Sequence, residues 1–178
     1  MKKIDSVEIE TADLFKRILT TILSIQDQVR QTPDTFEASL SVIKGIRESA
    51  YENLNQLQHA ALLLKAISYL ENNCFSTVKP IFWQWHPHQT HGKNEADLQA
   101  ISGDGVVLLS AEATTSIKPQ GTISKRMKNT LHQLQNMDVS GDKYYVVANK
   151  LMEIAANSYI NKTRDTDSPL TIKVIRLP

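Results

Sequence analysis

The spacing of apolar residues is helical in the first part of the chain. Over residues 11–31, apolar side chains recur every three or four positions, which is the period of an amphipathic helix. Pro33 then suits the start of a second helix, predicted over 34–47. The Ser-x-x-Glu spacing of a capping box at 49–52 predicts a third helix that runs to about residue 72.

After Cys74 the pattern becomes one of strands and shorter helices. β-branched and aromatic residues, with turn residues between them, predict five strands, at 78–86, 96–102, 106–114, 143–148 and 170–175. Helical spacing returns over 122–137 and 150–161. The turn Gly103-Asp104-Gly105 is typical of a tight hairpin, so the strands on either side of it are expected to be antiparallel neighbours. We therefore predict an α/β fold with a mixed central sheet of about five strands flanked by helices, and a helical N-terminal layer.

The composition of the 178-residue chain limits the classes of protein to consider. The length is enough for one sizeable core. A single cysteine, Cys74, excludes an internal disulfide and a cysteine-based zinc site. The formal charge of +1 excludes a histone-like polycation, but it divides into −2 over residues 1–75 and +3 over 76–178. The neutral total is therefore no argument against a nucleic-acid partner.

The N-terminus and the hydropathy of the chain bear on its location. The start MKKIDSVEIE has lysines but no apolar segment after them, so it does not resemble a signal peptide. No apolar run approaches the roughly 20 residues that a membrane-spanning helix needs. We expect a soluble, cytoplasmic protein with no membrane partner.

Two acidic residues, Asp97 and Glu112, lie in the two strands that the hairpin joins. Asp97 is near the start of one strand and Glu112 is late in the other, so the hairpin brings both carboxylates to the same end of the sheet. Glu112 also follows the apolar run 106–109, where a buried carboxylate needs a metal or another partner. Mg²⁺ prefers such oxygen ligands and can activate water for phosphodiester hydrolysis. The alternative is a pair of solvated charges at the rim of the sheet.

The residues around these acids resemble a known family. NEADLQAI (94–101), a turn, and VLLSAEAT (107–114) are similar to the PD-(D/E)xK core of restriction-endonuclease-like nucleases. The predicted order of a helix, a three-stranded meander, a helix and a strand is similar too, over roughly residues 49–148. The resemblance implies a restriction-endonuclease-like core over 49–178, a helical N-terminal extension over 1–48, and a DNA endonuclease that uses Mg²⁺, with Mn²⁺ as a substitute.

The resemblance also assigns roles to particular residues. It implies that Asp97 and Glu112 are the two metal ligands. A further acid on the first core helix corresponds best to Glu52, with Glu48 or Gln58 as alternatives. His59, on the same predicted helix, is interpreted as a core histidine.

Two positions depart from the family pattern. Ala96 stands where the motif has its proline, and Thr114 stands where the family usually has lysine. A threonine hydroxyl can orient the attacking water but carries no charge to stabilise the transition state. Lys118 or Lys125 would supply that charge from a neighbouring position.

The segment 113–137 carries basic residues and no acidic one. Its four cations are Lys118, Lys125, Arg126 and Lys128. Positive charge beside a metal site is suited to binding the phosphate backbone of a nucleic acid. The alternative is an ordinary solvated helix face. A separate group of histidines, His86, His88 and His91, is either an incidental part of a polar loop, a zinc-binding pair or a loop that contacts DNA.

These features leave three functional hypotheses. The first is a metal-dependent DNA endonuclease, which would act as a homodimer to cut both strands, with the helices before residue 49 forming the dimer face or a DNA-recognition element. A methyltransferase or a larger complex would be a further partner. The second is an inactive protein of the same fold that binds nucleic acid. The third is a protein-assembly factor that acts through its N-terminal helices.

Overall fold

The structure is a computed structural model that describes residues 1–75, 82–86, 95–164 and 168–177, without the side chains of residue 49 and residues 51–53. Its elements in chain order are β1 (Lys2–Ile4), α1 (Val7–Val29), α2 (Phe36–Cys74), β2 (Phe82–Trp85), β3 (Leu98–Ile101), β4 (Val107–Thr114), α3 (Thr122–Gln135), β5 (Lys143–Val147), α4 (Lys150–Lys162) and β6 (Lys173–Arg176). The predicted α/β class is confirmed.

The strands form one mixed sheet in which their spatial order is their order along the chain. Strands β1 to β4 pair antiparallel with one another in that order, whereas β4, β5 and β6 are parallel neighbours. Parallel neighbours need a crossover connection, and α3 and α4 provide the two that this sheet requires. The described sheet has six strands, one more than predicted. The additional strand, β1, has only three residues, which is too short for alternating hydropathy to show.

Different helices cover the two faces of the sheet. Helices α1 and α2 pack on one face, in a core cluster that includes Leu14, Leu63 and Ile67. Helices α3 and α4 cover the other face, where Leu131 and Met152 are buried. Strand β5 contributes alternate side chains to the two clusters, as a strand buried on both faces must.

Helix α2 is a single helix of 39 residues, so the predicted break before Ser49 is wrong. The Ser-x-x-Glu spacing at 49–52 falls inside the helix, where the backbone N–H groups already bond to carbonyls one turn earlier and need no cap. The N-cap is Thr35, whose hydroxyl accepts the N–H of Ala38 at 3.1 Å. The proposed division at residue 48 therefore lies within one continuous helix.

The remaining elements agree with the sequence prediction to within a few residues. The hairpin between β3 and β4 is present, and Gly105 takes the positive φ of +80° that its turn requires. The predicted strand at 78–86 is represented by β2, because residues 76–81 lie outside the described part of the chain. None of the described helices is both long and apolar enough to span a membrane.

Candidate functional site

The β3–β4 hairpin brings Asp97 and Glu112 to one end of the sheet. The register pairs Leu98 with Ala111, so the next position outward places Asp97 beside Glu112. Both acids are buried, with 3% of Asp97 and 8% of Glu112 exposed. The alternative interpretation of solvated rim charges does not fit this burial. Two buried carboxylates at neighbouring positions are the central feature of the site.

The carboxylate of Asp97 is oriented by groups from two elements. Its Oδ2 accepts the backbone N–H of Ala113 at 2.7 Å, and its Oδ1 lies 3.4 Å from Nε2 of His59 on α2. Since β3 begins only at Leu98, the side chain replaces the backbone carbonyl that would otherwise accept this N–H of β4.

His59 is a part of the site that the sequence interpretation assigned only to the core. The imidazole is 1% exposed, and neither ring nitrogen forms a hydrogen bond with any group that the structure describes. Its Nε2 meets Asp97 only at the ion-pair distance of 3.4 Å. Burial of the ring agrees with the core interpretation. Its contact with Asp97 was not predicted, because it joins residues 38 positions apart on different elements. A signal was present in the sequence, since His59 lies on the helix that was expected to supply an acid to this site.

Glu112 and Thr114 lie opposite two residues of β5. The parallel register pairs Glu112 with Tyr145 and Thr114 with Val147. Tyr145 is 2% exposed, and its phenol shares a hydrogen bond with Thr114. Burial, and after it the negative charges of Glu112 and Asp97, raise the pKa of Tyr145 above its usual value. The phenol therefore stays protonated and can donate a hydrogen bond beside the two acids. Sequence interpretation did not single out Tyr145.

Thr114 is held in place by the backbone as well as by Tyr145. Its hydroxyl oxygen accepts the N–H of Ser116 at 3.2 Å. Thr114, which stands at the lysine position of the motif that the chain resembles, is thus part of a short hydrogen-bonded chain at the end of β4. Such a hydroxyl can orient a water molecule, but it cannot supply the positive charge of a lysine.

The predicted basic residues lie on the outer surface of α3 and of the segment that leads into it. Lys118, Lys125 and Arg126 are exposed, and within the described residues none of them forms an ion pair. Lys128 instead places its Nζ 5.2 Å from the ring centroid of Tyr159 on α4. Because successive helix residues differ by about 100°, residues 125, 126 and 128 spread over the outer surface of α3 instead of forming one line.

Several predicted residues are placed away from Asp97 or lie outside the description. Glu48 and Gln58 are exposed, and Glu48 lies 3.8 Å from Lys44. The side chain of Glu52, and all of His88 and His91, lie outside the described residues. His86 is described, and its Nε2 is 2.7 Å from Oε2 of Glu95.

The side chains of the site can be compared with the number of protein ligands that a divalent cation requires. Within the described residues, no three His, Cys, Asp or Glu side chains are placed to bind one metal ion. Mg²⁺ in phosphoryl-transfer sites is often held by one or two carboxylates, with waters and substrate phosphate completing the shell. The two buried carboxylates Asp97 and Glu112 fit that smaller requirement.

Comparison with known proteins gives no independent assignment. No family model matches the chain, and neither the curated proteins nor the solved structures give a significant match. The resemblance to the PD-(D/E)xK core therefore stays a prediction, which depends on the residues around Asp97 and Glu112 and on the order of the elements. The function has to be inferred from the geometry of the site.

Proposed function

We propose that the protein is a metal-dependent endonuclease with a restriction-endonuclease-like core that hydrolyses phosphodiester bonds of DNA in the cytoplasm. The observation that carries this proposal is the pair of buried carboxylates, Asp97 and Glu112, at the end of the β3–β4 hairpin. Placing two carboxylates together in a poorly solvated site is unfavourable unless hydrogen-bond donors, a cation or a proton stabilise them. A divalent cation meets this need and also attracts a phosphodiester.

Asp97 and Glu112 are the residues that would hold Mg²⁺ or Mn²⁺. The bound ion would supply positive charge at the phosphate and a water of lowered pKa. The N–H of Ala113 and the imidazole of His59 keep the carboxylate of Asp97 in one orientation before any ion binds. Groups that hold a metal ligand in this way increase its affinity for metal, because the ligand loses less freedom on binding. Glu52 is proposed as a third acidic residue of the same site.

The other residues of the site would position water and substrate. Thr114 would orient the attacking water through its hydroxyl, and the protonated phenol of Tyr145 supports Thr114 through their shared hydrogen bond. Lys118 or Lys125 would offset the charge that develops on the phosphate. Lys118, Lys125 and Arg126 are exposed and would bind the DNA backbone, which gives affinity without sequence preference. Lys128 would contribute less, since its Nζ already lies over Tyr159.

The proposal is tested by cleavage of plasmid DNA with Mg²⁺ or Mn²⁺. The wild-type protein is expected to cut only when a divalent ion is present, and Glu112→Gln should reduce the rate by at least about 100-fold, because one ligand loses its charge. Asp142→Asn is a matched control, since Asp142 lies at the start of β5, at the opposite end of the sheet, where it pairs with Lys173. It should keep the wild-type rate. The absence of cleavage by the wild type, on double- and single-stranded DNA with either ion, would contradict the proposal.

A second candidate is a protein of this fold that binds nucleic acid without cutting it. The observation that favours it is Thr114, which stands in the lysine position and whose hydroxyl bonds to Tyr145 and to the N–H of Ser116. This candidate predicts DNA binding that needs neither a divalent ion nor Glu112. Replacement of Lys125 and Arg126 by glutamate should then weaken binding in a salt-dependent way, measured by fluorescence anisotropy.

A further inference from the structure

Helices α1 and α2 form an antiparallel hairpin that leaves many large apolar side chains in water. Only Leu14 is fully buried in the 23 residues of α1. Besides Ile9 and Tyr69, nine large apolar residues among the described side chains of the two helices have between 37% and 72% of their surface exposed. They are Phe15, Leu19, Ile22, Leu23 and Val29 of α1, and Phe36, Leu40, Ile43 and Leu54 of α2. We call this set the apolar face of the hairpin.

The exposed residues follow a regular relation to the inward-facing ones. In α1, the inward positions 14, 18, 21, 25 and 28 are buried or half-buried, and they are spaced by four and three residues. The exposed positions 15, 19, 22 and 29 each come one residue later, which is a rotation of about 100° around the helix. In α2, the exposed Leu40 and Ile43 likewise follow the half-buried positions 39 and 42.

This relation places the exposed apolar residues of α1 and those of α2 on the same side of the hairpin. In each helix, the residue after an inward-facing residue is rotated by about 100° around the helix axis in the right-handed sense. Because the two helices run in opposite directions and face each other, this rotation points to the same side of the pair in both. The exposed apolar residues of α1 and α2 therefore form one surface. Apart from Ile9, the outward positions on the other side are polar or charged, among them Thr20, Ser24 and Asp27 of α1, and Glu37, Ser41 and Glu48 of α2.

We propose that the apolar face binds the apolar face of a second copy of this chain, so that two hairpins form a four-helix bundle. With roughly 150–250 Å² for a large apolar side chain, the exposed fractions amount to about 900 Å² per chain. That is more than the few hundred Å² of the largest apolar patch on a typical monomer. It is also close to the roughly 800 Å² that each partner buries in a stable interface.

The geometry of the hairpin favours a second copy as the partner. A twofold-symmetric contact requires a surface that is complementary to itself, and two antiparallel helix pairs with seams of the same four-and-three spacing meet this condition. Arg47 follows the half-buried Ile46 and falls on the same side. Its aliphatic stem can pack on the apolar face while its guanidinium reaches the rim. This inference does not depend on the proposed function.

The test compares two double variants that add the same charge to opposite sides of the hairpin. Leu19→Lys with Ile43→Lys changes the apolar face, and Ser24→Lys with Ser41→Lys changes the polar side of the same two helices. The mass in solution is measured over a range of concentrations by light scattering and sedimentation. The wild type and the serine variant should have about twice the chain mass of 20.0 kDa. The apolar-face variant should be a monomer, with a dimer dissociation constant raised at least about 100-fold.

Two outcomes overturn the proposal. One is a wild-type protein that is monomeric at every concentration, and the other is an apolar-face variant that remains dimeric. Far-UV circular dichroism shows whether that variant keeps its helices. If it does not, Phe36→Ser, at the most exposed of the nine positions, replaces it as the milder change. Glu112→Gln should remain dimeric, so that failure of this proposal and failure of the nuclease proposal are separate results.

Discussion

The α1–α2 hairpin and the end of the sheet at Asp97 and Glu112 place side chains in opposite kinds of unfavourable environment. The α1–α2 hairpin keeps Phe15 and Phe36 largely in water, where apolar surface is unfavourable. The sheet end buries Asp97 and Glu112, where negative charge is unfavourable. We propose that each arrangement is stabilised by something added, an apolar surface in one case and a cation in the other. The comparison shows that a conflict between a side chain and its surroundings is a guide to function.

The largest expected effect is the loss of stability on removing Asp97. Asp97→Ala would leave the buried N–H of Ala113 without its acceptor and His59 without its carboxylate, so the free energy of unfolding should fall by about 3 kcal/mol. Urea denaturation with intrinsic fluorescence measures this change. Leu19→Ser, on the apolar face of the hairpin, should leave the free energy of unfolding of the monomer within about 0.5 kcal/mol of that of the wild-type monomer, when both are measured below the dimer dissociation constant. Equal losses in both variants would remove the distinction between the two regions.

The next effect is stabilisation by a divalent ion. An ion that binds only the folded protein raises the free energy of unfolding by about 2.7 kcal/mol when its concentration is 100 times its dissociation constant. Mn²⁺ should therefore raise the melting temperature of the wild type, and Glu112→Gln should abolish the increase. The Ser24→Lys and Ser41→Lys variant should keep it, because neither serine is among the residues proposed to hold the ion. A shift of equal size in the Glu112 variant would show that Mn²⁺ binds elsewhere.

The smallest effect concerns alkaline pH and the phenol of Tyr145. Burial, and then the charges of Glu112 and Asp97, raise the pKa of Tyr145 in the folded protein. Above about pH 10 the unfolded chain releases this proton while the folded protein retains it, so the free energy of unfolding falls as the pH rises. Tyr145→Phe should make this decline shallower.

The control for the alkaline experiment is Tyr69→Phe, since 38% of Tyr69 is exposed. Urea denaturation of the three proteins between pH 8 and pH 11 gives the slopes. Tyr69→Phe should follow the wild type. An unchanged slope for Tyr145→Phe would mean that the two acids do not act on this phenol, and the site would then lack the electrostatic coupling described above.

The elements that could be predicted from the sequence are those with a complete local signal. Strand β4 has eight residues, and β3 is joined to it by glycines that only a tight turn explains. Helix α3 has a clear apolar stripe, with Met127, Leu131 and Leu134 buried. The hairpin also placed Asp97 and Glu112 at the same end of the sheet, but it is the one-residue register shift between Ala100 and Ile101 that sets Asp97 beside Glu112.

The errors came from features that local pattern does not contain. Strand β1 is short and exists only because β2 supplies a partner for it. The capping-box spacing at Ser49 was misleading because the packing of α1 against α2 favours one continuous helix. The roles of His59 and Tyr145 depend on contacts between elements that are distant along the chain.

The sequence by itself determined the α/β class, the position of the hairpin and the placement of two acids at the same end of the sheet, since periodicity and turn chemistry are local properties. Tertiary structure decided the environment of those acids, through the N–H of Ala113, the imidazole of His59 and the phenol of Tyr145. It also decided which side of the α1–α2 hairpin stays exposed. Burial and charge at a site are sums over neighbours from several elements, and those neighbours are assembled only when the chain has folded.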